Sequence, residues 1–375
     1  MNVNHTRDFN FSFPAASNAT TVDCGSDSVI KWALRIINCI VLLVGLVGNA
    51  IVCTAVIRRK RMRTSINLFT FNLAFSDLII IVIYVPSQII ALENCQRWVL
   101  GTFMCHVVYL VLPICVSTSI GSLLTISCDR YRAIVYPMKP KLTMNKVKII
   151  IGLIWFVSAL TALPLALVVT TFRPAPHVTY CTEFWRDASW GVLYWVAIFI
   201  LQYLVPLIII VSQAAVIAVK LRKSRIPMLS SSSETLYKKT LRTRIKQTRK
   251  ITKMYIALVL LYAICLLPQH VVATFWYNFG DFMEYSPKTR DLIYQIVNIF
   301  PMANSAFNAI AYGTLNKEFK GIFKIVLHPK SCVGRSGLGA LDKLHFEHSD
   351  TAHVMTSHRR DKHQRTLLTA EENGN

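Results

Sequence analysis

A chain of 375 residues with 53% hydrophobic residues and a mean hydropathy of +0.44 carries more apolar surface than a soluble domain ordinarily buries, which excludes a simple water-soluble fold. Its net charge of +22 would suit a nucleic-acid partner, but the basic residues fall between long apolar stretches instead of covering a folded surface, so no nucleic acid is expected.

Residues 1–32 are polar and hold three N-x-S/T sequons, at Asn4, Asn10 and Asn18, which predicts a glycosylated tail on the lumenal and then extracellular side. This stretch lacks the apolar core of a cleavable signal peptide, so the first apolar run is expected to serve as the insertion signal. Seven such runs follow, at 36–57, 64–92, 98–128, 149–172, 188–219, 254–280 and 292–316, and Asp77 is the one formally charged residue inside them. A bilayer-crossing helix needs about 20 apolar residues, and each run is long enough. The expected fold is an all-α membrane protein, a seven-transmembrane helix bundle over residues 33–315.

Orientation follows from Lys and Arg, which accumulate in cytoplasmic loops. One side carries Arg58, Arg59, Lys60, Arg61 and Arg63, then Lys139, Lys141, Lys146 and Lys148, then a dense set between Lys220 and Lys253. The other side holds only Arg97, Arg173, Arg186, Lys288 and Arg290, so the N-terminus is placed outside. The third inner connection contains Ser230–Ser233 and a Lys-, Arg- and Thr-rich run that reads as an extension of span six. Residues 316–328 set Phe319, Ile322, Phe323, Val326 and Leu327 against Lys317, Lys320 and Lys324, a pattern for a short helix in the membrane interface. Residues 329–375 show no periodicity and are expected to be a disordered cytoplasmic tail.

Topology also sorts the cysteines. Cys39, Cys53, Cys115, Cys128 and Cys265 lie in spans, where small apolar packing accounts for them. Cys24, Cys95, Cys105 and Cys181 lie on the oxidising side and are able to form disulfides, and Cys332, inside and next to the interfacial helix, suits palmitoylation.

Span three ends in Asp129-Arg130-Tyr131, 25 residues after Cys105. Span one has Gly48-Asn49, span two Leu73-Ala74-Phe75-Ser76-Asp77, span four Trp155, span five Pro206, span six Cys265 and Pro268, span seven Asn308 and Tyr312, and the first outer loop Trp98 and Gly101 as W-x-x-G. With this set in this order, about residues 30–328 resemble the rhodopsin-like (class A) superfamily of G-protein-coupled receptors. The stretch Leu267–Val272 followed by Trp276 and Phe279-Gly280 resembles the galanin, allatostatin and kisspeptin group of peptide receptors.

That resemblance implies a receptor at the plasma membrane that binds an extracellular peptide and opens its cytoplasmic face to a heterotrimeric G protein and to arrestin. It implies an activation switch of Asp129, Arg130 and Tyr131 with Asn308, Tyr312 and Pro268, and a disulfide between Cys105 and Cys181. It implies no cofactor beyond a sodium ion at Asp77 with Ser119, Asn304, Ser305 and Asn308, hard oxygens that suit a hard cation. A protonated Asp77 in a helix–helix hydrogen-bond cluster is the other reading. A Cys24–Cys95 bridge stays open. The basic inner loops serve a G protein or anionic membrane lipid, and Ser349, Thr351, Thr356 and Ser357 join Ser230–Ser233 as phosphorylation candidates.

Several positions depart from the family pattern. Leu266 stands where Trp is usual, Tyr262 where Phe is usual, Ala309 where Pro is usual and Ala214 where Tyr is common. Span six has Thr248 and Thr252 where an acid often locks Arg130, so a hydrogen bond from Arg130 to Thr252 is the expected restraint. A decoy or modulatory protein with weak coupling is therefore the alternative function.

Leu112 replaces the Asp with which amine receptors hold their ligand, and span seven has no Lys for retinal. The outer ends offer Gln88, Tyr109, Leu112, Gln269, His270, Trp276, Tyr294 and Asn298 as a polar-aromatic cleft for a peptide, although interfacial anchoring also uses such residues, and a non-peptide ligand stays open. Glu93, Glu183, Asp187, Asp281, Glu284 and Asp291 form an acidic rim. The second outer loop is long enough for a hairpin. A transporter would need repeated halves with buried coupling charges. An enzyme would need an intramembrane motif such as G-x-S-x-G, and the chain has neither.

Overall fold

Long apolar runs fold as helices in a bilayer because a helix pairs every backbone N–H and C=O within one segment. The computed structural model describes residues 28–136, 138–140, 142–223, 236–276 and 286–327. Span one is Ser28–Arg58, span two Ser65–Glu93, span three Gly101–Val135 and span four Met144–Val168. Span five covers 188–223, span six runs from Leu236 to Trp276 and span seven is Pro287–Leu315. All but span seven are apolar enough to cross a membrane on composition alone. Span seven is more polar because it carries Asn298, Asn304, Ser305 and Asn308, all buried inside the bundle.

Local chemistry sets several boundaries. The Thr64 hydroxyl accepts from the Asn67 N–H at the start of span two, Asp187 Oδ1 from the Ser189 N–H before span five, and the Ser286 hydroxyl from the Thr289 N–H before span seven. Each such cap is worth about 1 kcal/mol. Pro287 follows Ser286 at the first helical position, where its missing N–H costs nothing.

Two expected ends shift. Span three continues to Val135 because no helix breaker precedes Pro137, so Asp129-Arg130-Tyr131 lies within the helix and not at its tip. Span four stops at Val168, four residues early, because the β-branched run from Val169 pairs as a strand. Strand β1 (Val169–Ala175) and strand β2 (Val178–Glu183) form the antiparallel hairpin expected of the second outer loop, with Val169 opposite Glu183 and Thr171 opposite Cys181.

Spans two, five and six also contain wider π-helical segments, Ile80–Tyr84, Phe199–Leu204 and Val271–Trp276. The first two end two residues before Pro86 and Pro206, and the third begins three residues after Pro268. A proline lacks its N–H and crowds the carbonyl four residues earlier, and a widened turn absorbs that crowding.

The bundle is sorted by polarity in the reverse sense to a soluble protein. Leu43, Leu153, Phe156, Leu160, Ile208, Leu260 and Ile264 face outward, while Asn49, Asp77, Ser119, Asn304 and Asn308 are buried. Asn72 ties three spans together, donating to the Ser122 hydroxyl at 2.9 Å and accepting from Trp155 Nε1 at 2.8 Å. Spans one and seven approach so closely at Gly48 that a Cβ there would lie 2.5 Å from the Cβ of Ala309. Span seven is a continuous helix through Ala309, as the loss of proline there predicts.

The bundle unit ends at Lys320, and the helix Lys317–Leu327 begins within it. The sequons at Asn4, Asn10 and Asn18, Cys24, Ser230–Ser233, Phe279-Gly280, Asp281, Glu284, Cys332 and the tail serines and threonines lie outside the described residues.

Candidate functional site

The outer end is shaped by one covalent link. Cys105 near the start of span three bonds to Cys181 in β2 across 76 residues, with a Cα separation of 5.6 Å. The hairpin is further held by the Trp98 N–H, which donates to the Thr179 carbonyl at 2.6 Å, while Trp98 Nε1 donates to the Gly101 carbonyl at 2.7 Å. Cys105, Leu165, Val169, Tyr194 and Ile198 pack as an apolar knot beneath it. Tyr109, expected in the cleft, packs against that knot.

Glu183 closes the hairpin. Its two carboxylate oxygens accept from Trp185 Nε1 at 2.9 Å and Trp195 Nε1 at 3.1 Å. Burial pushes this carboxyl above the ordinary carboxylate range, against the opposing pull of the two indoles. The role of the indoles was not legible in the sequence, where Glu183 was one of six rim acids. Glu93, another of the six, instead makes a two-point ion pair with Arg35 at 2.5 Å, and Arg35 stacks 4.5 Å over the Trp32 ring. Its charge is thus matched by span one and is no bait for a ligand.

The remaining cleft residues separate into groups. Gln88 lines a small cavity with Leu34, Asn38, Leu92, Gln295 and Met302, between spans one, two and seven. Tyr294 sits between Tyr84 and Asn298. His270 is buried, its ring 5.8 Å from Phe199 and 5.2 Å from Tyr203. Gln269 is half-buried beside it, Leu112 is buried in span three, and the Trp276 side chain lies outside the described residues. Tyr84 and Tyr203 were not singled out from sequence, since an aromatic in an apolar run gives no signal of which way it turns.

At mid-depth, Asn308 Nδ2 donates to Asp77 Oδ2 at 3.0 Å, joining spans two and seven. The second oxygen of Asp77 and the amide oxygens of Asn304 and Asn308 are buried without a hydrogen-bond partner. Ser305 is buried next to Asp77, and its backbone carbonyl accepts from Asn49 at 3.0 Å. The Ser119 hydroxyl is hydrogen-bonded to Ser76 of span two at 3.0 Å.

At the inner end, Arg130 Nη2 donates to Asp129 Oδ2 at 2.6 Å, both side chains half-buried on one helix. The expected hydrogen bond from Arg130 to the Thr252 hydroxyl is absent: that buried hydroxyl has no partner, because the guanidinium turns along its own helix to Asp129. Tyr131 makes an edge contact with Tyr136 at 6.3 Å. Tyr312 is fully buried, its ring 6.1 Å from Phe319. Near Ala214, where a tyrosine is common, Gln213 Nε2 meets Cys128 Sγ at 3.4 Å and links spans five and three.

Seven helices, a hairpin tied to span three, and buried Asp77 bonded to Asn308 match a family defined by that arrangement. The model of the family described as 7 transmembrane receptor (rhodopsin family) matches residues 48–312. The chain belongs to that family. The receptor is similar to the QRFP-like peptide receptor of Branchiostoma floridae, 30% identical over 77% of this chain and 75% of that protein. It is similar to neuropeptide FF receptor 2 of Rattus norvegicus, 30% identical over 74% of this chain and 68% of that protein. It is also similar to neuropeptide Y receptor type 2 of Mus musculus, 30% identical over 86% of this chain and 81% of that protein. It is a multi-pass membrane protein and a receptor, not an enzyme.

Proposed function

We propose that this receptor binds an extracellular peptide in its outer cleft and activates heterotrimeric G proteins by opening its inner end. The observation that carries the ligand class is the hairpin, held by Cys105–Cys181 beside a cleft of aromatics and amides with Leu112, not a carboxylate, in span three. Such an opening suits an extended chain with several side chains better than a small amine. The three relatives above are by name peptide receptors, which points the same way. Tyr294, Asn298, Gln269 and His270 are the residues offered for its wall, and Glu183, where ionised, is the anchor offered to a cationic side chain.

In this reading the receptor lies in the plasma membrane with residues 1–32 outside and glycosylated at Asn4, Asn10 and Asn18. Residues 316–328 lie in the inner interface beside a palmitoylated Cys332, and residues 329–375 extend into the cytoplasm toward arrestin. The basic inner loops contact anionic lipid as well as G protein. The unpaired oxygens of Asp77, Asn304 and Asn308 fit a sodium ion, which would supply a positive charge to the buried carboxylate. Arg130, bonded among the described residues to Asp129 of its own helix, is placed to change partners when span six moves.

The test is a cell-surface receptor with a second-messenger readout against a library of amidated neuropeptides, comparing wild type with Arg130→Ala. A peptide that raises the signal in wild type, and fails to do so in Arg130→Ala at equal surface level, is the expected result. A response to amines or lipids with none to peptides overturns the ligand class. Peptide binding without any signal overturns G-protein activation and leaves the decoy reading.

A further inference from the structure

Two of the departures from the family pattern meet at one place. Gln202 lies in the widened turn Phe199–Leu204, and Pro206, four residues on, has no N–H to offer its carbonyl. The hydroxyl of Tyr262, in span six, donates to this carbonyl. In the opposite sense, the hydroxyl of Tyr203 in span five donates to the carbonyl of Ala263 at 2.9 Å. Ala263 lies on the turn that Pro268 opens by crowding the carbonyl of Ile264, four residues earlier. Each span thus lends a tyrosine hydroxyl to the backbone of the other at its proline kink. The two rings lie parallel, 6.3 Å apart.

The residues are placed to act. Tyr262, Tyr203 and Gln202 are buried, and Leu266, one turn above Tyr262, is an aliphatic plug at 1% exposure where the family pattern has a tryptophan. Tyr203 is shared between two contacts, since its ring also lies 5.2 Å from that of His270 on the cleft side. A ligand that displaces His270 therefore moves the ring whose hydroxyl closes one half of the bond pair.

We propose that Tyr203 and Tyr262 form a reciprocal hydroxyl-to-carbonyl staple between the proline kinks of spans five and six, and that His270 connects it to the ligand cleft. The staple holds span six against span five in the unliganded receptor and takes over the restraint that an acid–Arg130 lock supplies elsewhere, which this chain lacks. The part of this that concerns signalling rests on the proposed G-protein function; the staple itself does not.

The test uses the full-length receptor in lipid nanodiscs, wild type against Tyr203→Phe, Tyr262→Phe and the double variant, each of which keeps its ring. A membrane-permeant maleimide alkylates free thiols, and three buried ones report separately: Cys265 beside the staple, and Cys53 and Cys115 elsewhere in the bundle. Alkylation of Cys265, read by mass spectrometry, is expected to quicken about three- to tenfold in each single variant, the change that one lost hydrogen bond of ordinary strength gives. The double variant is expected to show less than the product of the two, because breaking either half frees the same contact. Cys53 and Cys115 are expected to keep their wild-type rates. An unchanged Cys265 rate in both single variants, or an equal rise at all three cysteines, overturns the proposal. Ligand-independent second messenger in cells is read alongside. A faster Cys265 rate with no basal signal keeps the staple and counts against the coupling function, so the two readings fail separately.

Discussion

At the outer end the spans are joined to one another: a disulfide runs from span three to β2, two indoles bracket Glu183, and Arg35 of span one grips Glu93 of span two at two points. At the inner end, among the described residues, the one ion pair is Asp129 with Arg130, neighbours on a single helix. The bonds that cross between spans there are made by long, flexible arms, Lys220 to the Val135 carbonyl at 3.0 Å and Gln213 to Cys128. Such arms give little resistance, since a single exposed hydrogen bond is worth about 1 kcal/mol net. The difference shows where cross-links are placed in this fold: around the outer end, where the proposed ligand binds, and not around the inner end, which the proposed mechanism opens.

The largest effect should come from the outer covalent link. Cys181→Ser removes a native disulfide, a loss of about 2–5 kcal/mol, and surface staining of intact cells is expected to fall by roughly that scale of instability while total protein is still made. Normal surface level with intact binding would mean that the hairpin is held by Glu183 and its indoles alone. Next is the centre of the bundle, which belongs to neither end. Asn72→Ala strands the Trp155 N–H and takes away the bond that the Ser122 hydroxyl accepts, costing about 1–3 kcal/mol, and detergent-solubilised receptor is expected to melt several degrees lower. An unchanged melting temperature would show that the polar link between spans two, three and four is replaceable.

Asp77 couples the ends if a sodium ion sits there. Agonist affinity is then expected to be about tenfold weaker in sodium chloride than in choline chloride, and Asp77→Asn should erase the difference. Equal affinities in both salts for wild type would remove the ion from the mechanism. The smallest loss is expected at the inner end, where Thr252→Val should leave the melting temperature unchanged or raise it slightly, because the buried hydroxyl has no partner. A loss of several degrees would show a bond to Arg130 after all, and the inner end would be less free than the comparison makes it.

Hydropathy alone located the helices, because an uncharged run of this length has nowhere else to go, and loop length anticipated the hairpin. The pairing of Cys105 with Cys181 came from family likeness, as did the Asp77–Asn308 neighbourhood, and both agree with the structure. Rotation about each helix axis was the blind spot. A span that is apolar on all sides gives no preferred face, so nothing in the chain foretold that Ser119 turns to Ser76, that Tyr203 reaches Ala263 or that Glu93 meets Arg35. The π-helical segments were equally hidden, although the prolines near them were visible. Proline marks where a helix must deform, and only the neighbouring spans decide how.

The contact of Gly48 with Ala309 has a consequence for engineering. With 2.5 Å between a hypothetical Cβ at position 48 and the real Cβ of Ala309, position 48 has no room for a side chain. Position 48 is thereby held to glycine by its neighbour on another span, and attempts to stabilise this receptor by substituting Gly48 with a better helix former are expected to fail unless position 309 is redesigned in the same step.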